Sequence, residues 1–314
     1  MFALSQYSRI AVEPLTGAIG AEISGVDLRR IDDELFAEIR RAFLDHAVIF
    51  FRDQDLDEAS LTAFAARFAP PTLSPQAKND GSVVHRLHRA ADVPRTIRNL
   101  GDRWHADQSS RERPNMGAVL YCLEAPPYGG DTLFASLCAA YDQLSREMRD
   151  DCDRLIAIHS LIGVYGPDGM GGSPTTRPFH YENNAVSYNE TYAQLGEETL
   201  ALIRKQVEHP LVCTHPETGR PILYVTGNHI IGVKGMTELE STQLLDVLNR
   251  HVIRPEFTCR FRWRKGSLAI WDNRCALHYA ANDYEGFART MWRIELEGSR
   301  PFGPAMPADA EATQ

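Results

Sequence analysis

Eight residues near the C-terminus, Arg289 to Leu296, alternate in character along the chain. In an extended conformation Arg289, Met291, Arg293 and Glu295 point one way, and Thr290, Trp292, Ile294 and Leu296 the other. That period of two commits the segment to a β-strand. It also puts two guanidinium groups on one wall, anchored about 13 Å apart at the usual rise per residue. Such a spacing has room for two separate anions and does not suit one shared anion. Just upstream, Trp271 to Tyr279 carries a lone histidine, His278, beside further strand-like runs.

Short strands are marked throughout the rest of the chain. Ala47-Val48-Ile49-Phe50-Phe51 reads as a strand buried on both faces, and Val83–His88, Met116–Cys122 and Thr132–Phe134 as further strands. Leu211 to Val225 suggests two strands around Pro216-Glu217-Thr218-Gly219, and Phe257–Trp263 with Ser267–Trp271 a hairpin around Lys265-Gly266. Helical periodicity appears from Asp33 to about Asp45, after Asp57, and over Leu137–Leu155, Glu197–Val207 and Thr237–His251. Gly163 to Asn189 holds five glycines and three prolines, the composition of a long loop that would close over a site. The pattern predicts a mainly β protein with helical cover, a sandwich or barrel. With no repeat or linker in view, one domain over residues 1–300 is expected, followed by a frayed tail over 301–314.

Bulk properties narrow the function. A net charge of −9 argues against a nucleic-acid binder that works through phosphate contacts, while leaving room for a local arginine-lined pocket. Hydrophobic residues at 43% and charged residues at 24% are those of an ordinary soluble globular protein. The six cysteines form no Cys-x-x-Cys pair, so zinc-ribbon and redox-motif readings have no support. There is no membrane-length apolar run and no basic-then-apolar leader, so a cytoplasmic protein is expected. A homo-oligomer is compatible with all of this.

Three His-x-acid pairs occur: His105/Asp107, His180/Glu182 and His215/Glu217. With 11 histidines and 42 acids in 314 residues, about one or two would arise by chance. His215/Glu217 falls on a predicted turn, and His180/Glu182 in the glycine-rich loop, where a preorganised site is hard to hold. His105/Asp107 follows Trp104 and precedes a strand, the most rigid setting of the three. Two histidines and one carboxylate make the facial triad of non-haem Fe(II) oxygenases, with His278 as the candidate third ligand. Charge balance extends the set. Fe(II) with one aspartate is singly positive, so a chelating dianionic 2-oxo acid would need a cation for its distal carboxylate. Arg289 can supply that cation and Thr132 a hydroxyl. Two other classes use part of this set: a zinc hydrolase with a metal-bound water, and a non-catalytic jelly roll that binds an anion.

Taken together, Trp104-His105-Ala106-Asp107, Gly129-Gly130-Asp131-Thr132-Leu133, His215-Pro216-Glu217-Thr218-Gly219-Arg220, Trp271-Asp272-Asn273-Arg274 with His278, and Arg289 with Arg293 resemble the taurine dioxygenase family of Fe(II)/2-oxoglutarate oxygenases. The likeness runs from Pro14 to about Phe302. It implies a double-stranded β-helix (jelly-roll) core, iron on His105, Asp107 and His278, and the 2-oxoglutarate carboxylate on Thr132 and Arg289. Arg293 matches the residue that pairs with the anionic end of the substrate, and His215-Pro216 a motif of structural role. The implied reaction couples O2-dependent decarboxylation of 2-oxoglutarate to hydroxylation beside a heteroatom, giving succinate and CO2. Around the substrate the chain departs from taurine enzymes. Gly101 stands where they carry asparagine and Phe134 where tryptophan is usual. Their His-Pro-x-Tyr segment has only His85 and His88 nearby, and these two join Arg293 as the candidates to bind the substrate. A small organic anion is therefore expected, either a sulfonate such as taurine or a sulfate ester, with an aryloxyalkanoate or other carboxylate as the alternative.

Overall fold

A computed structural model describes residues 7–73, 82–93, 101–165 and 197–307. In chain order the first strands and helices are β1 (Ala11–Pro14), β2 (Ala21–Ser24), α1 (Asp33–His46), β3 (Val48–Phe51), α2 (Glu58–Ala66), β4 (Pro71–Thr72), β5 (His85–Arg89), β6 (Gly117–Glu124) and β7 (Thr132–Ser136). Then come α3 (Leu137–Asp142), α4 (Arg146–Cys152), β8 (Ile156–Ser160), β9 (Gln206–Pro210), β10 (Val212–Thr214), β11 (Pro221–Leu223) and β12 (Ile230–Val233). The last strands are β13 (Thr258–Phe261), β14 (Leu268–Asp272), β15 (Ala276–Ala280) and β16 (Arg289–Leu296).

The chain divides into two compact units. One comprises Met1–Asp102, Asn115–Ser136 and Pro255–Gly298, the other Arg103–Pro114, Leu137–Arg254 and Ser299–Gln314. Because each unit gathers separated stretches, no single linker marks the division and the sequence reads as one domain. The loop expected over Gly163–Asn189 lies outside the described residues from 166 onward, as does His180/Glu182.

In the first unit an eight-stranded sheet runs β1-β2-β3-β14-β6-β16-β4, with β5 added alongside β16, and a smaller sheet runs β13-β7-β15. Among the described residues only β2 and β3 pair in parallel. Alternation gives the large sheet two apolar faces. Ile49, Phe51, Val119, Tyr121, Ile270, Ile294 and Leu296 pack on Leu35, Ile39 and Phe43 of α1 and Leu61 and Phe64 of α2. Val48, Phe50, Leu120, Trp271 and Met291 pack instead on Phe134, Phe261 and Ala276 of the smaller sheet. The unbroken apolar run of β3 is thereby explained: Phe50 stacks on Phe261 at 4.0 Å, while its neighbours Ile49 and Phe51 enter the other core. Each such side chain contributes about 1.5–3 kcal/mol by burial. The helix ends are set by side chains: Asp32 accepts from Leu35 N, and Asp57 and Ser60 form a reciprocal capping box.

The second unit has a three-stranded sheet, β12-β8-β9, and the hairpin β10-β11. At that hairpin's turn His215 Nδ1 accepts from Glu217 N and Thr218 N, while Glu217 is exposed. The helix Glu238–Val252 starts with a capping box between Thr237 and Glu240.

Four local expectations need correction. β13 and β14 do not form a hairpin: β13 pairs with β7, and β14 lies between β3 and β6 in the other sheet. Leu137–Leu155 is two helices, because Ser145 caps a fresh start by accepting from Met148 N. The helix from Glu197 stops at Arg204, and Val207 belongs to β9. The tail is fixed where it begins, with Thr214 N donating to Phe302 O at 2.7 Å and Gly303 packed on the Val212 backbone.

Candidate active site

In the first unit the glycine motif fixes Thr132. Gly129 and Gly130 take φ of +71° and +66°, a conformation other residues rarely adopt. A side chain at Gly129 would meet Asp283 O at 2.5 Å, and one at Gly130 would crowd Tyr284 and Arg289 Cδ at 3.1 and 3.3 Å. Gly130 N donates to Asp283 Oδ1 at 2.7 Å, and Arg260 ties Asp131 to Asp283 from outside. β7 then starts with Thr132 buried, its Oγ1 accepting from Trp263 Nε1 at 2.9 Å. A threonine hydroxyl that has accepted once still has its own proton to give.

The same indole lies beneath Arg289, whose Cζ is 5.8 Å from the ring centre. Arg289 is half-buried as a whole, yet its Nε is fully covered and makes no hydrogen bond among the described residues. Burial lowers the guanidinium pKa, opposed by Tyr284, Cys122 and Asp131. Among the described residues no carboxylate comes within ion-pair range of it. A buried, unanswered donor costs about 1–3 kcal/mol, which a bound carboxylate would relieve. The Arg289–Thr132 corner therefore fits the distal carboxylate of a 2-oxo acid.

Strand pairing decides the remaining polar residues. β5 and β16 place Arg89 opposite Arg289, Leu87 opposite Met291 and His85 opposite Arg293, each pair on one face. His85 thus joins the arginine wall. Burial, and then Arg293, hold its pKa below the usual range, so the ring is neutral at pH 7. His88 was a second candidate for the substrate, and the register removes it. It opposes Thr290 on the other face, is exposed, and places Nδ1 3.0 Å from Thr290 Oγ1. Arg293 sits over Trp271 at 5.6 Å with Glu295 Oε1 3.5 Å from its Nη2. On β15 His278 is buried opposite Phe134, its ring 4.9 Å from that of Trp271.

In the second unit His105 bridges to Gly227, where φ is +73° and a side chain would run into Trp104 O at 2.1 Å. His105 Nδ1 lies 2.7 Å from Arg103 O, which places the proton on Nδ1 and leaves Nε2 as a lone-pair donor. Asp107 Oδ1 is 3.5 Å from that Nε2, and Asp107 is buried. A neutral imidazole nitrogen and a carboxylate oxygen side by side suit one divalent ion.

Sequence reasoning missed the polar layer behind this pair. His229 is buried with Nδ1 unanswered, and burial, then His105, push its pKa down to about 4 against the pull of Asp107. Ser109, two residues past Asp107, donates to Thr226 Oγ1 at 2.9 Å, next to Gly227. His159 Nδ1 lies 3.2 Å from Ser109 Oγ, and His209 Nε2 is 3.0 Å from the carbonyls of Ser109 and Arg111. These residues are far apart in the chain, and no motif or spacing in the sequence joins them.

A mainly antiparallel β framework with a His-x-Asp pair and two segregated arginines defines a class, and sequence comparison supplies its name. The chain belongs to the taurine catabolism dioxygenase TauD, TfdA family, whose model matches residues 11–294. It is 34% identical to an alpha-ketoglutarate-dependent sulfate ester dioxygenase of Pseudomonas putida, over 93% of this chain and 91% of that one. An alkylsulfatase of Acinetobacter baylyi is 31% identical over 100% of this chain and 95% of its own length. Among solved structures, a taurine dioxygenase from Burkholderia xenovorans superposes with a TM-score of 0.75 at 34% identity, covering 95% of this chain and 94% of its own.

Proposed function

We propose that this enzyme uses Fe(II) and 2-oxoglutarate to oxidise a small organic anion, a sulfate ester or an alkanesulfonate, at the carbon beside the heteroatom. One observation carries the reading: two arginines share a strand face, and one of them, Arg289, with no ion pair among the described residues, lies over the indole that donates to the Thr132 hydroxyl. That is one prepared seat for a carboxylate and a separate one for a further anion. Family membership supports the same chemistry.

Iron with 2-oxoglutarate supplies oxidation by O2 coupled to loss of CO2. The protein's share is placement. His105, Asp107 and His278 are our assignment for the metal, on the strength of their donor chemistry and their match to the family motif. Thr132 and Arg289 hold the distal carboxylate of 2-oxoglutarate. Arg293 fixes the anionic end of the substrate, with neutral His85 beside it as a hydrogen-bonding partner. Hydroxylation of a carbon bonded to sulfate oxygen yields an adduct that collapses to an aldehyde and inorganic sulfate. Two facing sheets in the first unit suit the jelly-roll core expected of the family. All six cysteines are buried free thiols, which suits a reducing cytoplasm, and no helix among the described residues is long and apolar enough to cross a membrane.

The test is an anaerobic titration with Fe(II) and 2-oxoglutarate followed by visible absorption. A panel of alkyl sulfates, sulfonates and aryloxy acids is then scored by succinate release. A metal-to-ligand band and succinate formation with the sulfur anions are expected; turnover without O2 or 2-oxoglutarate would refute the reading.

A further inference from the structure

The two arginines of β16 look equivalent in sequence but differ in their surroundings. Each has a covered Nε that makes no hydrogen bond among the described residues, but Arg289 also has no ion pair among them. Arg293 has a carboxylate beside it: Glu295, two residues along and on the same face of the strand, 3.5 Å from Nη2. Both members are largely buried, with side-chain exposures of 13% for Arg293 and 5% for Glu295. The carboxylate is itself fixed, since its Oε2 accepts from Asn115 Nδ2 at 2.8 Å. Asn115 O in turn accepts from Asn273 Nδ2 at 3.2 Å, which ties the pair to the Trp271-Asp272-Asn273-Arg274 turn.

We propose that Glu295 is a specificity-determining residue that restricts the Arg293 seat to singly charged anions. This rests on the reading of Arg293 as the residue that receives the substrate. With Glu295 ionised, the Arg293–Glu295 pair itself carries no net charge. A monoanion can still use the guanidinium's forked donors, because its single charge meets one cation and one carboxylate. A dianion brings a second negative charge close to Glu295 in a poorly hydrated place, where like charges repel strongly. Among the described residues no carboxylate pairs with Arg289, so that seat favours the more highly charged guest. The arrangement sorts a dianionic 2-oxo acid to one arginine and a monoanionic sulfate or sulfonate to the other. It also rejects phosphate monoesters, which carry nearly two charges at neutral pH.

The experiment compares three ligands of one alkyl chain: the sulfate, the phosphate monoester and the methyl phosphate diester. Affinities are measured by calorimetry on anaerobic enzyme loaded with Fe(II) and 2-oxoglutarate, so that no turnover is needed. In the wild-type enzyme the diester, a monoanion, should bind more tightly than the smaller dianionic monoester; tighter binding of the monoester would overturn the proposal. Glu295→Gln keeps the shape of the side chain and removes its charge. It should shift the monoester-to-sulfate affinity ratio roughly tenfold or more toward the monoester, with 2-oxoglutarate affinity unchanged. An unchanged ratio would overturn the proposal, and a merely structural role for Glu295 predicts that outcome. If the variant does not fold, the wild-type comparison decides alone. Arg293→Ala separates the two claims. Loss of binding for all three ligands upholds the assignment of Arg293 whatever Glu295→Gln does, and unaltered binding removes both the assignment and the proposal.

Discussion

Replacing Arg289 by methionine tests the 2-oxoglutarate seat through two readouts expected to move in opposite directions. Methionine keeps most of the stem that packs beside Gly130 and Trp263 while deleting the charge and every donor. For binding, the change leaves the distal carboxylate with only the Thr132 hydroxyl. Truncating one side of a covered, charge-assisted pair costs about 2–4 kcal/mol. At about 1.4 kcal/mol per tenfold, the Kd for 2-oxoglutarate should rise roughly 30- to 1,000-fold. For stability, the ligand-free protein loses a guanidinium that burial disfavours and a donor that nothing among the described residues answers. Its Tm should therefore hold or rise by about 1–3 °C, since about 1 kcal/mol moves a domain of this size by a few degrees. Binding is read from the anaerobic titration of Fe(II)-loaded enzyme, stability from a thermal melt without ligands. A Kd within fivefold of wild type would remove Arg289 from the seat. A Tm several degrees lower would mean the arginine is a structural residue whose partners in solution differ from those described.

Arg293→Ala should spare the slow decarboxylation of 2-oxoglutarate that occurs without substrate and abolish substrate-coupled succinate formation; equal loss of both would mean the roles of the two arginines are exchanged. Gly130→Ala forces a side chain into a left-handed position 3.1 Å from Tyr284 and 3.3 Å from Arg289 Cδ. A loss of about 1–3 kcal/mol in stability and a weaker 2-oxoglutarate Kd are expected, checked by melt and titration. His159 and His209 are buried with pKa values below the usual 6.5, the cause in both being chiefly desolvation. The unfolded chain therefore binds more protons than the folded one below that value. Tm should be flat above about pH 6.5 and fall as pH drops through the window down to about 5, more shallowly in His159→Gln. A wild-type Tm that rises on acidification across this range would refute the buried neutral state.

What was legible in the sequence is whatever depends on local alternation. β16 follows its period of two, so the division of Arg289, Met291 and Arg293 from Trp292, Ile294 and Leu296 could be read directly, and Met291 and Ile294 do enter different cores. The caps of α1 and α2 were equally local. Partner choice was not. Lys265-Gly266 looks like a hairpin turn, but Gly266 N donates to Cys122 O and Gly266 O accepts from Gln54 N, so the turn serves neighbours distant in sequence. His85 and His88 lie three residues apart and so face opposite ways on a strand, but which of them joins the arginines follows only from the pairing of β5 with β16. The layer of Ser109, His159, His209 and Thr226 comes from four separate stretches of chain, beyond the reach of any periodicity.

On the proposed assignment, the fold gives two identical side chains different tasks. Arginine is chosen for both places because its fork suits planar or tetrahedral oxyanions and its charge survives burial. What differs is the surroundings. At Arg289 the surroundings are an indole face, a threonine hydroxyl engaged by that same indole, and glycines that let the backbone crowd close. None of these satisfies the guanidinium, so the free energy is released only when a carboxylate arrives. At Arg293 a fixed carboxylate already answers part of the charge, which lowers the cost of keeping the cation buried and weakens its hold on any anion. Tight retention of a co-substrate used in every turnover and lighter retention of the molecule that must leave as product would both follow from that one difference. The large sheet, with an apolar core on each face, is stable enough to carry an unanswered cation whose cost is about that of one buried leucine.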